Sequence, residues 1–404
     1  MNSGLRGSEG LGGMREVVVI GVGMHAFGRF LDKSLSDLAK VAVWAALRDA
    51  NVPAKDVQVA YVANSIGGLI TGQEGIRAQT ILSPSGFGGI PMVNVENACA
   101  SASTAFRGVW LEIASGLYDV GLAVGVEKMF LEDRARTLSA LISVSQIELS
   151  KLGMQFVGNS AMRCKRYMRR YGGTKEDLAL VAVKNTYNGS LNPYAYHRKA
   201  YTREEILNSP VIAEPLHLYM TSSIADGAAA AILCSKDVAK RYDRKPLIHV
   251  AACVLKSGRH RESDPLDTDI PSTLTLTAGE AYGQAGMEPQ DIDVAEVHDA
   301  MSPIELISCE DLGFCRKGEG IRFLKEGRTK ITGDIPINVS GGLCARGHPV
   351  GATGIAQVAE IVWQLRGEAG PRQVAEAKVG MCEDSGGVLV DGDNAAFTNI
   401  ILKR

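Results

Sequence analysis

The sequence has almost no net charge and no long stretch of basic or apolar residues. Its 43 Lys and Arg residues and 45 Asp and Glu residues leave a formal charge of -2. Nucleic acid and anionic membrane surfaces require clustered positive charge, so neither is an expected partner. No apolar run reaches the roughly 20 residues that cross a bilayer. The Gly-rich start "MNSGLRGSEGLGGM" also lacks the apolar core of a signal peptide. We therefore expect a cytoplasmic protein associated with neither membranes nor nucleic acid.

Closely spaced cysteines are also missing. No two of the eight form a CxxC pair; they are Cys99, Cys164, Cys234, Cys253, Cys309, Cys315, Cys344 and Cys382. Pairs at short spacing mark zinc sites, and dense cysteine patterns mark the disulfide frameworks of small secreted domains. The scattered pattern therefore predicts mostly reduced thiols and no metal site.

What the sequence does contain is an alternation of strand and helix patterns. Of its 404 residues, 46% are apolar, enough for two or three domains' worth of core. The stretch "EVVVIGVGM" predicts a buried strand, and residues 34–50 predict a helix with Ser34 and Asp37 as a capping pair. Further strands are predicted at 57–62, 93–95 and 120–126. Apolar strands separated by helices are typical of an α/β fold.

Two segments of the chain resemble each other without gaps. They are "ANVPAKDVQVAYV" at 50–62 and "AGMEPQDIDVAEV" at 285–297, and each runs from the end of a helix into a strand. The matching pairs are Ala50 and Ala285, Asp56 and Asp291, Val59 and Val294, Ala60 and Ala295, and Val62 and Val297. Downstream of each, "MVNV" before Cys99 resembles "PINV" before a Gly-rich loop. We interpret this order as a duplicated α/β half.

The region between the two halves loses the strand pattern. Residues 127–225 carry many charges and aromatic side chains, and "DGAAAAILCS" at 226–235 marks the return to core. We predict a flexible N-terminal tail at 1–14, an N-terminal half at 15–126 plus 226–245, an inserted loop domain at 127–225 and a C-terminal half at 246–404.

One motif points elsewhere. The stretch "GVGMHA", with Gly21, Gly23 and Ala26, fits the GxGxxG/A fingerprint of dinucleotide-binding folds. That fingerprint also requires an acidic residue at the end of the next strand to bind the ribose. The predicted strand at 57–62 instead runs into Ala63 and Asn64. Nicotinamide binding is therefore not expected.

Cys99 is the first candidate catalytic residue. It follows a predicted strand in "VENACASAS", and the small residues after it open an apolar helix. A thiol at a helix N-terminus lies near exposed amide hydrogens and the positive end of the dipole, which favour the thiolate. The alternative is a small buried hydrophobe, as most cysteines are.

Two of the seven histidines are candidate bases for such a thiol. His298, in "EVHDAMSP", follows a repeat-derived strand at the edge where open α/β folds build their sites. The alternative is a loop histidine that is satisfied by Asp299. His348 lies in "SGGLCARGHPVGATG", whose glycines allow a ligand to approach the backbone. The alternative there is a solvent-facing histidine in a flexible turn.

Together, "ENACASAS", "EVHDA", "SGGLCARGHPVGATG" and "DGAAAA" resemble the motifs of the thiolase superfamily, in its sterol-carrier-type, acetyl-CoA acetyltransferase-like branch. The resemblance covers nearly the whole chain from about residue 15. It implies duplicated halves that share a five-layered α/β/α/β/α fold. It also implies a loop domain that helps to bind coenzyme A, and assembly as a homodimer or a dimer of dimers. Coenzyme A would be a co-substrate, with no permanently bound cofactor.

The resemblance also assigns roles to the candidate residues. Cys99 would attack the 3-keto carbon of a 3-oxoacyl-CoA and hold the acyl group as a thioester, and His348 would accept the thiol proton. His298, with His348, would hold the thioester oxygen as the neighbouring carbon becomes enolate-like. A second oxyanion hole would use the Cys99 amide and an amide near Gly386.

The sequence departs from the family pattern after His298. Sterol-carrier thiolases have His-Asp-Cys-Phe there, whereas this chain has Ala300 and Met301, so the usual acid is missing. "GMCEDSGG" places Cys382 where ordinary thiolases begin their C-terminal Cys-x-Gly motif, with Asp384 at the glycine position. Cys382 is thus a candidate acid, and the alternative is a structural thiol.

The resemblance leaves substrate and partner open. Relatives with His-Asp-Ala and this style of C-terminus often work beside a small zinc-ribbon/OB-fold subunit, which suggests a bulky, branched or aromatic 3-oxoacyl-CoA. Two alternatives to a thiolase remain: a retro-aldolase that uses the same fold on a CoA thioester, and a non-catalytic acyl-CoA-binding or scaffold subunit. Cys99, His298 and His348 favour the acyltransferase.

Overall fold

A computed structural model describes residues 13–242, 245–259, 271–390 and 392–404. The predicted tail at 1–14 lies almost wholly outside these residues. The strands are β1 (Val17–Met24), β2 (Val59–Ala63), β3 (Met92–Val95), β4 (Val120–Glu127), β5 (Val211–Ala213), β6 (Leu216–His217), β7 (Gly227–Ser235), β8 (Ile248–Ser257), β9 (Val294–Glu296), β10 (Val379–Gly386) and β11 (Ala396–Lys403). The helices are α1 (Leu35–Ala50), α2 (Gly67–Thr71), α3 (Arg77–Leu82), α4 (Ser101–Ala114), α5 (Arg134–Ile142), α6 (Ile147–Lys151), α7 (Phe156–Tyr171), α8 (Lys175–Ser190), α9 (Arg203–Asn208), α10 (Lys236–Ala239), α11 (Thr273–Ala285), α12 (Ile304–Asp311), α13 (Gly320–Lys325), α14 (Gly342–Ala345) and α15 (Thr353–Arg366).

The predicted elements form where their sequence patterns place them. Strand β1 is buried along its whole length, as its continuous apolar run requires. Helix α1 begins after the predicted capping box, in which Ser34 and Asp37 bond each other's backbone amides, and it ends at Asn51 in the left-handed conformation. The α/β class predicted from the alternation of strands and helices is confirmed.

Nine strands form one hydrogen-bonded series in the order β3-β2-β4-β7-β1-β8-β11-β10-β9. From the centre of the series outward, the first half has β1, β7, β4, β2 and β3. The second half has β8, β11, β10 and β9 in the corresponding positions. Both copies of the repeated segment pass through a 3₁₀ turn, at Ala54–Asp56 and Pro289–Asp291, into β2 and β9. Ile337 of the "PINV" stretch pairs with β9 as β3 pairs with β2. The structure therefore has the internal repeat that the sequence indicates.

The two halves pack as five layers. Helix α1 covers the outer face of the first-half strands, and α11 and α12 cover the outer face of the second-half strands. Helices α4 and α15 lie between the two sets of strands, and their apolar residues share one core cluster with strands of both halves. This is the α/β/α/β/α arrangement expected from the thiolase resemblance, and it brings the start of α4 next to the start of α15.

The glycines of "GVGMHA" allow α1 to pack closely against β1. A Cβ on Gly21 would lie 2.4 Å from the carbonyl oxygen of Ala46, and one on Gly23 would lie 2.4 Å from that of Ala42. Both carbonyls belong to α1, so the two glycines allow that helix to approach β1 closely. This close approach explains the motif without a nucleotide.

The segment between β4 and β7 contains α5 to α9 and the small pair β5 and β6, which do not join the nine-stranded series. Helices α7 and α8 form their own apolar cluster with residues of α12 and α13. The predicted domain boundaries remain a prediction. Within the described residues, no helix is both long and apolar enough to span a bilayer.

Candidate active site

Cys99 lies in a sharp turn between β3 and α4. Ala98 has a φ of 51°, in the left-handed region that alanine rarely adopts. The hydroxyl of Ser101 holds the turn because it accepts from the Asn97 amide at 2.8 Å and donates to the Ala98 carbonyl at 2.6 Å. Because α4 begins two residues later, at Ser101, the thiol lies at the helix N-terminus, as the sequence predicts.

The expected thiolate is not favoured in the resting site. Burial raises the pKa of the Cys99 thiol well above its usual value, and the carboxyl groups of Asp384 and Glu127 add to this rise. The amides of Gly387 and Cys99 oppose it without balancing the loss of solvent. The helix dipole is therefore outweighed, and Cys99 needs a base to take its proton.

His348 is positioned where such a base could act. Its Nε2 lies 3.3 Å from the Cys99 Sγ, and its Nδ1 lies 2.7 Å from Thr353 Oγ1. The Thr353 hydroxyl donates to the Pro349 carbonyl at 3.2 Å, so its oxygen is free to accept from Nδ1–H. This assigns the tautomer with an unprotonated Nε2. Burial lowers the pKa of His348 well below its usual value, with further contributions from His298 and Arg346, so the ring is neutral. His348 is buried, and the solvent-facing alternative is wrong.

Buried charged groups fix the loop that carries His348. One Glu127 oxygen accepts from the amides of Ser65 at 2.9 Å and Gly351 at 3.0 Å, and thereby ties the first half to the His348 loop. Burial raises the pKa of Glu127 to about 7. On the other side, Arg346 forms an ion pair with Glu296 at 3.0 Å, with both side chains almost fully buried. Neither Glu127 nor Arg346 was singled out from the sequence.

His298 faces the same centre from the loop before α12. Its Nδ1 lies 3.2 Å from Ser385 Oγ, and its buried Nε2 has no hydrogen-bond partner among the described residues. Burial, with a contribution from Arg346, lowers the pKa of His298 to about 4. Asp299 accepts instead from the Leu343 amide at 2.8 Å and from Asn185 at 2.9 Å. The alternative in which Asp299 satisfies His298 is therefore wrong.

Backbone amides surround the Cys99 sulfur. The amides of Cys99 and Gly387 act on it by hydrogen bonding. Gly386, the predicted neighbour of the second amide, lies against the turn, where a Cβ would lie 2.7 Å from the amide nitrogens of Cys99 and Ala100. The amide directed at the sulfur is thus one residue further along than Gly386, at Gly387.

Strand β10 presents alternate residues to opposite sides. Glu383 and Ser385 line the cavity with His298, whereas Cys382 belongs to the core cluster around α4 and α15. The structure therefore does not bring Cys382 to the site. The "EDSGG" pattern at 383–387 could have identified Glu383 and Ser385, because residues two apart in a strand share a face.

The site opens into a cavity of about 900 Å³ that includes Cys99, His298 and His348 in its lining. Within the described part of the chain, these three are the one group of Cys, His, Asp or Glu whose donor atoms lie close enough to share an ion, within 4.8 Å of one another. A neutral imidazole at 3.3 Å from a thiol is arranged to take its proton, so the geometry of His348 and Cys99 suits proton transfer.

Comparisons with known proteins identify the relatives of this chain. The family model described as "Thiolase, N-terminal domain" matches residues 17–237, and "Thiolase C-terminal domain-like" matches residues 260–399. An acetyl-CoA acetyltransferase of Methanothermobacter thermautotrophicus is 45% identical over 93% of this chain and 97% of its own. The benzoylsuccinyl-CoA thiolase subunit BbsB of Thauera aromatica is 37% identical over 92% and 95%. Sterol carrier protein 2 of Bos taurus is 35% identical over 92% and 70%.

Solved structures match over the whole length. An aldolase described as Ltp2-ChsH2(DUF35) has a TM-score of 0.79 at 24% identity, covering 96% of this chain and 97% of its own. Human mitochondrial 3-ketoacyl-CoA thiolase in complex with CoA has a TM-score of 0.72 at 18% identity, covering 96% and 98%. At these identities the matches establish the fold, and the sequence matches establish the family. The chain belongs to the thiolase family.

Proposed function

We propose that this thiolase transfers an acyl group between a 3-oxoacyl-CoA and coenzyme A through a thioester on Cys99. The supporting observation is the contact of 3.3 Å between the Cys99 sulfur and a neutral His348 at the floor of a large cavity. The enzyme is an acyltransferase, as are its relatives named acetyl-CoA acetyltransferase and benzoylsuccinyl-CoA thiolase subunit.

The first half-reaction begins at the thiol. His348 Nε2 takes the proton from Cys99, and the sulfur attacks the 3-keto carbon of the substrate. The amides of Cys99 and Gly387 stabilise the oxyanion. The C2–C3 bond then breaks, its electron pair passes to C2 as an enolate, and the acyl group remains on sulfur. The free Nε2 of His298 faces the region of this enolate.

The second half-reaction transfers the acyl group from Cys99 to coenzyme A. A proton reaches C2, and the short acyl-CoA product leaves. His348 releases the proton that it took from Cys99 to solvent in the cavity, so that its Nε2 can accept a proton again. Coenzyme A enters, His348 takes the proton of its thiol, and the CoA sulfur attacks the thioester. The bond between the acyl carbon and Cys99 breaks, and His348 returns the proton to the Cys99 thiolate. The same steps in reverse form a carbon–carbon bond.

The test is acylation without free coenzyme A. Incubation with a 3-oxoacyl-CoA should add one acyl mass to the Cys99 peptide, seen by mass spectrometry. A matched control is Cys382→Ala, which removes another buried thiol outside the cavity. Carbon–carbon cleavage that persists in Cys99→Ala, with no acyl-enzyme in the wild type, would instead support the retro-aldolase.

We also propose that the acyl chain is bulky. The cavity wall includes apolar residues from the segment between β4 and β7, among them Leu138, Leu141, Ile142, Leu149, Met154, Phe156 and Val157. Apolar lining favours a branched or aromatic chain, since each buried CH₂ contributes about 0.8 kcal/mol. A higher kcat/KM for aromatic or branched 3-oxoacyl-CoA than for acetoacetyl-CoA is expected, and the opposite ranking would contradict the proposal.

Assembly and location complete the proposal. Within the described residues β3 pairs only with β2, so one edge of the nine-stranded series is open at a half-buried apolar strand. We propose that a second copy pairs there, in an interface on the order of 2,000 Å². A zinc-ribbon/OB-fold subunit is the proposed partner, and the cytoplasm the proposed location. Light scattering that gives a monomer with full activity would contradict the dimer.

A further inference from the structure

One proton in the proposed reaction has no established donor. The carbon that leaves as an enolate must gain a proton at C2, and in the reverse direction the same carbon must lose one. Ala300 occupies the position at which sterol-carrier thiolases have a cysteine, and its methyl group has no proton to give. Cys382 is buried on the face of β10 that packs against the central helices.

Two groups on the cavity side, Glu383 and Ser385, contact His298. The Glu383 carboxylate accepts from the His298 backbone amide at 2.8 Å. The Ser385 hydroxyl lies 3.2 Å from His298 Nδ1. It is two residues from Glu383 on the same face of β10, and it lowers the pKa of the Glu383 carboxyl. All three residues are buried and line the cavity. The second ring nitrogen of His298, Nε2, is buried and has no hydrogen-bond partner within the described part of the chain. A buried polar atom without a partner is costly and indicates a position that substrate fills.

We propose that His298 Nε2 exchanges the proton with C2 of the substrate, while Ser385 passes a compensating proton between His298 Nδ1 and Glu383. The inference rests on the proposed thiolase function and deepens it. His298 is the catalytic residue in this step, and Ser385 and Glu383 are positioning residues that act through it.

The protons balance in both directions. When C2 is protonated, Nε2–H gives its proton to carbon, Nδ1 takes the hydroxyl proton of Ser385, and Ser385 takes the carboxyl proton of Glu383. When C2 is deprotonated, Nε2 takes the carbon-bound proton, and the Nδ1 proton moves through Ser385 to the Glu383 carboxylate. Glu383 then exchanges its proton with solvent in the cavity. The imidazole is neutral before and after each transfer.

The electrostatics of the site support a neutral ring. Burial lowers the pKa of His298 to about 4, so an imidazolium is disfavoured at neutral pH. Burial raises the pKa of Glu383 to about 8, which allows the carboxyl group to hold or release a proton near neutrality. Asp311 on α12 raises this pKa further, whereas Arg163 on α7, the His298 amide and Ser385 lower it.

The experiment measures two half-reactions on the full-length protein. Acetyl-CoA and, in parallel, succinyl-CoA are incubated in D₂O, and deuterium at C2 is followed by mass spectrometry. Acylation of Cys99 by the same thioesters is measured separately. Glu383→Gln keeps an oxygen that accepts from the His298 amide but cannot take a proton. We expect C2 exchange to fall about 100-fold, the range of a general acid–base contribution, while acylation stays within a few-fold. The same loss of C2 exchange with little change in acylation is expected for Ser385→Ala.

The pH dependence of C2 exchange distinguishes a proton relay through Glu383 from a purely structural role of this residue. Exchange needs the Glu383 carboxylate to accept a proton, so the wild-type rate should rise with pH through about 8. This rise should be absent in Glu383→Gln. The matched control is Cys382→Ala, which should keep both half-reactions, because its side chain lies outside the cavity.

Several outcomes would overturn the relay. Exchange at the wild-type rate in Glu383→Gln would do so, as would equal losses of acylation and exchange, which indicate a purely structural role. A wild-type enzyme that acylates Cys99 but exchanges C2 of neither thioester would also overturn it. A wild-type enzyme that is never acylated would instead overturn the proposed function itself.

Discussion

The two halves of the chain share a strand order but contribute different residues to the candidate site. In the first half, the chain leaves edge strand β3 at Val95 and enters the central helix α4 at Ser101, in a turn that holds Cys99. In the second half, the chain leaves the equivalent position at Ile337 and enters central helix α15 only at Thr353. The short turn fixes the nucleophile at a helix start, and the longer loop carries His348 back over it.

This difference shows how a duplicated scaffold becomes asymmetric. The second half also supplies His298, Ser385 and the Gly387 amide, all around a thiol from the first half. Cys99 and His348 therefore meet only when α4 and α15 pack between the two sets of strands. Activity should depend on residues of both halves, whereas packing within one half should affect stability alone.

The largest expected loss of turnover comes from a substitution in the first half. Cys99→Ala removes the nucleophile, and turnover should fall on the order of 10⁴-fold or more. Steady-state thiolysis, followed by loss of the 3-oxoacyl-CoA absorbance, measures it. Cys164→Ala is the control, since Cys164 is also buried but lies in the α7 and α8 cluster. Comparable losses in both variants would mean that thiol burial, and not nucleophilic attack, is being measured.

The next largest loss of activity is expected for a substitution of His348 in the second half. His348→Ala leaves a buried thiol whose pKa is raised, so acylation should slow roughly 10²- to 10⁴-fold. Rapid-mixing measurement of the acyl-enzyme should show partial recovery only at pH values above the ordinary thiol pKa of about 8.5. Unchanged acylation near pH 7 would show that Cys99 is activated without His348.

A substitution at Gly386 tests the contact between the second half and the Cys99 turn of the first half. In Gly386→Ala, the new Cβ would lie 2.7 Å from the Cys99 amide nitrogen, so the turn must move. A displacement of about 1 Å at the reacting atoms can reduce activity about 100-fold. The expected result is a loss in kcat with folding retained, measured by turnover and by circular dichroism. Full activity would show that the turn tolerates displacement.

The smallest effect on turnover is expected within one half. In Gly21→Ala, the new Cβ would lie 2.4 Å from the Ala46 carbonyl oxygen and 2.5 Å from the Ala50 Cβ. Overpacking of this kind lowers the free energy of unfolding by about 1–3 kcal/mol. Denaturant melts should show this loss, while kcat per folded molecule stays unchanged, because Gly21 does not line the cavity. A loss of kcat as large as that of Gly386→Ala would remove the distinction between the two glycines.

Much of the fold was predictable because it depends on local patterns. The run 17–24, the capping pair Ser34 and Asp37, and the repeated segment all specify structure through neighbours in sequence. The family motifs likewise placed Cys99, His298 and His348 in one site before any distance was known. The position of Cys382 was not predictable in this way, because a shift of one residue along a strand reverses the face that a side chain occupies.

The sequence by itself determined the α/β class, the duplication, the thiolase resemblance and the three side chains at the centre of the site. Tertiary structure alone decided their chemical state. Cys99 is a neutral thiol because burial outweighs the helix dipole, and His298 is neutral because burial and Arg346 disfavour its charged form. It also decided that the Gly387 amide lowers the pKa of the Cys99 thiol and that Glu383 and Ser385 adjoin His298. Desolvation and contacts between distant segments arise only when the chain is packed, so no local pattern in the sequence encodes them.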